Sequence, residues 1–160
     1  MSDKLVERIA AEGRPAQLQA PLAKFEAYWQ SITDPDLGFP YKRNFAFVDI
    51  ASIARYVAIL DVETGPDRSC RYRFRFAGTW HLDNFGIELT GRYLDELRRG
   101  EPLNRIIQSY RAIAEGGALH YWRRQSVMEE REYLMYARLM GPLADDEGNI
   151  VQLAGCFVRD

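Results

Sequence analysis

The sequence predicts an α+β domain, an antiparallel sheet with helices gathered on one face, and two observations carry that prediction. In residues 71–78, Tyr72, Phe74 and Phe76 alternate with Arg71, Arg73 and Arg75, the period-two signature of a half-buried strand. The elements also come in a telling order: a helical flank, two strand-like segments, several short helices, one longer helix and three more strands. A chain of 160 residues fits one domain and typically buries roughly 70% of the surface its unfolded form exposes. With 47% hydrophobic and 28% charged residues it has the balance of an ordinary globular protein. Its net charge of −2 gives no general attraction to nucleic acid or to an anionic membrane, so partners must be argued locally.

Taken in order, residues 1–20 are polar and interrupted by Gly13 and Pro15, with Pro21 following, which predicts a short frayed helix or a loose arm. Over residues 21–32, Leu22, Phe25, Trp29 and Ile32 recur at helical spacing and form one apolar stripe. That stripe packs either on its own domain or on a second protomer as a dimer seam. Pro35 and Pro40 end the helix and open a linker, dividing the chain into a flank over residues 1–40 and a domain over residues 41–160. Asp49 is placed to cap a short helix over residues 50–55, with Ile50, Ile53 and Ala54 turned inward. Residues 57–63 read as a strand with Ala58, Leu60 and Val62 on one face, and Thr64-Gly65-Pro66-Asp67 turns it into the strand at 71–78 as a hairpin.

Gly100, Glu101 and Pro102 begin a longer helix whose apolar face is Leu103, Ile106, Ile107, Tyr110 and Ile113, and Gly116-Gly117 stops it. Residues 119–128, 133–141 and 150–157 are strand-like. A charged tip at residues 129–132 and the turn at residues 145–149 separate them, which makes an antiparallel meander. The acidic turn lacks the alternating ligands and closing glutamate of a calcium loop.

Two cysteines, Cys70 and Cys156, without CxxC spacing, argue for free thiols and against a zinc ribbon, an iron–sulfur site or a disulfide scaffold. The N-terminus carries charge where a secretory signal would be apolar, and no apolar window approaches the roughly 20 residues that span a bilayer, so a cytoplasmic protein without membrane contact is expected. Nucleotide-binding glycine loops, the GxSxG elbow and the HExxH zinc motif are all missing from the sequence.

Four passages together resemble the PAS domain family, specifically compact bacterial PAS proteins that consist of little beyond that domain. They are the hairpin of residues 57–63 and 71–78; Ala77-Gly78-Thr79 followed by Phe85-Gly86 and Leu89-Thr90-Gly91-Arg92; the helix ending in Gly116-Gly117; and Gly141-Pro142-Leu143 followed by residues 145–148. The likeness covers about residues 46–158. It implies a five-stranded antiparallel sheet that, with the helices between strands two and three, encloses a small-molecule pocket, in a sensor, a dimerisation module or both. This sequence is unlike the flavin-photosensing branch, having no cysteine in the photoadduct motif, and unlike the haem-binding branch, having no histidine on the long helix. The cofactor is therefore left open. No kinase or cyclase output region follows the last strand in this sequence, so signalling is expected through association.

The candidate ligand-binding residues are Trp80, His81, Phe85, Tyr93 and Tyr110, which the resemblance places around the pocket. Aromatic residues at such spacings are more often core, and a lone histidine is more often a hydrogen-bonded structural residue than a metal ligand or a base. No catalytic or metal-ligating role is assigned. His120, at the start of a strand, is expected at the surface or the rim. Arg71, Arg73 and Arg75, with Arg123 and Arg124, read as a solvated face and not as a nucleic-acid surface, since the aromatics lie on the opposite side. A sensory or interaction module that binds a small ligand, pairs as a homodimer or docks a signalling partner is the leading reading. The alternatives are a ligand-free dimerisation adaptor and a small α+β isomerase or dehydratase using His81, Asp83 and a tyrosine.

Overall fold

The computed structural model describes residues 14–97, 101–128 and 130–160. The expected N-terminal arm falls mostly outside these residues, as do Gly100 and Glu129. Five strands, β1 (Val57–Thr64), β2 (Cys70–Ala77), β3 (His120–Gln125), β4 (Met135–Ala144) and β5 (Ile150–Arg159), form one sheet in the order β2-β1-β5-β4-β3. All neighbours run antiparallel. The central pairing of β1 with β5 joins the early hairpin to the later meander. Helices α1 (Ala20–Ser31), α2 (Thr79–Phe85) and α3 (Glu101–Gly116) surround it, with 3-10 stretches at Lys42–Asn44, Phe47–Tyr56 and Leu94–Glu96.

The sheet is buried on both sides. Ala58, Leu60, Tyr72, Phe74, Met140, Leu153 and Phe157 face inward to α2 and α3. Val57, Ile59, Leu139, Leu143, Ala154, Cys156 and Val158 face outward. Burial on both faces explains why β4 reads as a nearly continuous apolar run. Pro142 is tolerated in it because β3 pairs only as far as Met140 and the bridge to Tyr41 is made at Ala144, so Pro142 falls between the two pairings on that side of β4.

The outer face is covered by α1. Leu22, Phe25 and Trp29 are buried against the sheet, and Ile32, just past the end of the helix, is half-buried. Gly141 is required there, because a Cβ would sit 2.8 Å from the Trp29 indole and from Leu119. The apolar stripe is thus spent on the chain's own core. The longer 3-10 stretch supports α1 through Ile50 and Ile53. Asp49 does not cap it: the first turn has no side-chain cap, and the Asp49 carboxylate accepts a hydrogen bond from the Tyr28 hydroxyl at 3.5 Å.

Strand β2 departs from the simple alternation. A bulge sets Ile59 opposite Phe76 but Leu60 opposite Phe74, leaving Arg75 unpaired in the ladder. The extra residue turns Phe76 to the outer face, where it meets Phe47 with ring centroids 4.8 Å apart. Only Tyr72 and Phe74 of the three aromatics face the inner core. Two of the three arginines of this strand are neutralised locally, Arg71 by Asp95 at 2.8 Å and Arg75 by Asp61 at 3.1 Å, while Arg73 donates to the Gly91 carbonyl at 3.3 Å.

Candidate functional site

The site is built where the inner face of the sheet is roofed by α2, the Leu94–Glu96 turn and α3. Gly78 makes the junction from β2 into α2, and a Cβ there would lie 2.2 Å from the Arg55 carbonyl oxygen. That close approach brings His81 under the preceding 3-10 stretch. Gly86, at φ 76°, ends α2 in the left-handed conformation that favours glycine. Gly91, at φ 87°, turns the chain back along β2, where the Gly91 and Phe74 amides donate to the Phe74 and Arg92 carbonyls. This return covers the free edge of β2 and sets Leu89 and Leu94 into the roof.

Between roof and sheet lies a cavity of about 40 Å3, lined by Phe74, His81, Phe85, Leu89, Leu94, Leu97, Leu103, Ile106, Tyr110, Ser126, Val127, Met128, Tyr136 and Phe157. At roughly 10–15 Å3 for each water-sized body, that is room for a few waters. Among the described residues its wall is apolar apart from one imidazole and three hydroxyls.

His81 is 1% exposed, and its Nε2 lies 3.2 Å from the Tyr56 carbonyl oxygen. Burial pushes its pKa down to about 4, so the ring is neutral at pH 7 and donates from Nε2. Nδ1 is then a bare acceptor, and it has no partner. The Tyr110 and Tyr136 hydroxyls are fully enclosed. Burial holds the Tyr110 pKa above its usual value and pushes Tyr136 up to about 12. Ser126 accepts from the Met128 amide at 3.0 Å as β3 leaves the ladder, which turns residues 126–128 into cavity wall instead of strand.

Of the five residues singled out from the sequence, His81, Phe85 and Tyr110 line the cavity. Trp80 stands one layer back, edge-on to Phe85 at 5.3 Å. Tyr93 lies outside it: bridged to Arg73 at the β2 edge, its ring carries the Arg71 guanidinium at 3.7 Å. The chain's return along β2, which no local pattern announces, decides that placement. Asp83 is exposed and turned away from the buried His81, so the His-x-Asp pair is not assembled into one site.

His120 corrects the expectation of a rim residue. It is 5% exposed, and its Nδ1 accepts a hydrogen bond from Nη2 of Arg138 at 2.6 Å; Arg138 is itself 2% exposed. A readable signal existed, because Arg138 is the one charged residue in the run of residues 133–144. Cys70 is exposed on β2 and Cys156 is buried on the outer face, so neither reaches the cavity. Among the described residues no group of three or more His, Cys, Asp or Glu side chains could hold a metal ion. No helix of the described residues is long and apolar enough to cross a membrane.

Neither a protein-family model nor a curated protein matches the chain. Among solved structures it is similar to a light-oxygen-voltage domain studied with a flavin analogue, at 19% identity and a TM-score of 0.54, covering 72% of this chain and 85% of that one. It is also similar to the PAS domain of BvgS from Bordetella pertussis, at 16% identity and a TM-score of 0.49 over 71% of this chain and 82% of the other. With its β2-β1-β5-β4-β3 antiparallel sheet and the helices between the second and third strands closing the inner face, the chain has the PAS-domain fold.

Proposed function

We propose that this chain is a sensory module that takes up a small ligand in the inner-face cavity and signals through association with a second copy or a signalling partner. The observation that carries the reading is the cavity itself, with His81 Nδ1 buried and unpartnered in a residue of its wall. An apolar enclosure with few polar groups is the usual make-up of a ligand site, in which those groups fix orientation. Unfilled, the cavity is far below the roughly 300–1,000 Å3 of sites that enclose drug-sized ligands. Uptake therefore needs the roof to move outward. A ligand that binds the open arrangement better shifts the population towards it, and the displaced segment carries the signal. Association uses a surface other than Leu22, Phe25 and Trp29, which are buried in the chain's own core.

A flavin adduct is not part of this reading, because neither Cys70 nor Cys156 faces the cavity and its wall offers no carboxamide to pair with a flavin's polar edge. Haem is left out of it as well, because the long helix α3 carries no histidine. The small volume favours a second reading, a ligand-free adaptor whose core is simply filled by its own side chains.

Native mass spectrometry of the chain purified from its source cell separates the two. A retained small molecule, lost on denaturation, supports the sensor. A bare chain that also shows no thermal shift across a panel of small apolar compounds overturns it in favour of the adaptor.

A further inference from the structure

The inner face changes character along β3 and β4. Ser126 and Tyr136 belong to the cavity wall, and Arg124 stands directly opposite Tyr136 in the ladder, so both project from the same side of the sheet. One pair further along, Trp122 stands opposite Arg138. Both guanidinium groups gather on that indole, Arg124 at 4.9 Å and Arg138 at 5.2 Å from the ring centroid. Arg138 also lies 5.0 Å from the ring of Tyr110, which lines the cavity. Neither guanidinium lines the cavity, but each stands beside a residue that does, Arg138 at Tyr110 and Arg124 at Tyr136.

Those cations are under-satisfied. Arg138 donates to His120 Nδ1 at 2.6 Å and to the Ser109 hydroxyl at 3.5 Å, but its Nε is buried without a partner. Arg124 donates from Nε to the Gln125 carbonyl at 3.2 Å, and its Nη1 is likewise buried and unpaired. Among the described residues neither forms an ion pair, whereas Arg71, Arg75, Arg111 and Arg123 all do. Burial holds the Arg124 guanidinium below its usual range, and Arg138 and Arg105 press the same way. Aromatic faces stabilise a buried cation less than a carboxylate does, and a buried charge is ordinarily paired.

We propose that the cavity takes a small organic carboxylate with an apolar body: Arg138 and Arg124 receive the carboxylate from their unused N–H donors, and the enclosure beside Tyr110 and Tyr136 receives the body. A carboxylate fits because it only accepts, and both unmet groups only donate. This rests on the cavity being the ligand site proposed above, and the test separates the two.

The probes are phenylacetate and its neutral isostere phenylacetamide, titrated calorimetrically into the full chain at neutral pH. Phenylacetate is expected to bind about tenfold more tightly than the amide, the scale of one charge-assisted hydrogen bond. Arg138→Met and Arg124→Gln should each bring that preference to within about twofold, while Arg138→Lys keeps part of it. Arg124 is only half-buried, so Arg124→Gln decides the matter if Arg138→Met does not fold. Equal binding of the two probes overturns the carboxylate while leaving the cavity reading in place. A preference that survives in Arg124→Gln and Arg138→Met also overturns it. Binding of neither probe overturns the carboxylate and leaves the cavity reading to the native mass spectrometry described above.

Discussion

The two faces of the sheet use the same strands to opposite ends. On the outer face, α1 lays Leu22, Phe25 and Trp29 onto Val57, Ile59, Leu139 and Cys156, and a glycine at 141 is needed to bring the indole down. On the inner face the roof stands off the sheet, leaving a cavity and, among the described residues, three buried side-chain atoms without partners: His81 Nδ1, Arg124 Nη1 and Arg138 Nε. The outer face has one such atom, Trp29 Nε1. Side chains that fill space and satisfy one another stabilise a fold, whereas unmet donors and acceptors cost stability and persist where something else can meet them. On the proposed reading, the outer core serves stability and the inner one recognition.

The largest effect should come from the face assigned to stability. Phe25 is fully buried between α1 and the sheet, so Phe25→Ala should cost about 3–5 kcal/mol in urea unfolding, the range for removing an enclosed aromatic ring. A loss under about 1 kcal/mol would mean that α1 contributes little to the core. The comparison between faces would then fail, and the stripe would again be open to a second protomer.

The inner face should reveal itself through pH. His81 is pushed down to about 4 from an ordinary value of 6.5, so between those values the unfolded chain holds more protons than the folded one. Stability from this group is fully present above pH 6.5 and falls as the pH drops towards 4, by up to on the order of 3 kcal/mol. The urea midpoint of the wild type should fall by more than that of His81→Leu as the pH drops across this window, because the variant lacks this component. Parallel curves would show that His81 is not held neutral by burial and would remove the imidazole acceptor from the cavity.

Much of this division was legible in the sequence, and the parts that were not share a cause. The β1–β2 hairpin and the face of α3 follow from periods of 2 and 3.6 residues, which are local. Phe76 was misplaced because a one-residue bulge flips every side chain beyond it, and a bulge is a property of the pairing and not of the strand. Tyr93 was misplaced because its position depends on where the chain returns along β2. The stripe on α1 was read correctly as a stripe, but a helical period does not say which surface covers it. Of the five candidate site residues, His81 and Phe85 line the cavity from α2 and Tyr110 from the apolar face of α3, a face that the helical period makes readable. His120 was assigned to the rim because its partner Arg138 lies 18 residues away on the neighbouring strand.

The smallest perturbation is a chemical label, and it tests whether the two faces open separately. Cys70 is exposed, whereas Cys156 is fully buried on the outer face and burial pushes its thiol up to about 12. The thiolate is the reactive form, so a thiol reagent at neutral pH should label Cys70 at once and reach Cys156 only through opening. If opening is confined to the outer face, Phe25→Ala will speed Cys156 labelling while His81→Leu, acting from the other side of the sheet, leaves it unchanged. If the domain opens only as a whole, both variants will speed labelling in proportion to the stability each has lost. Immediate labelling of both thiols in the wild type would contradict a closed outer face altogether, since Cys156 is separated from solvent by the same layer that carries Phe25 and Trp29.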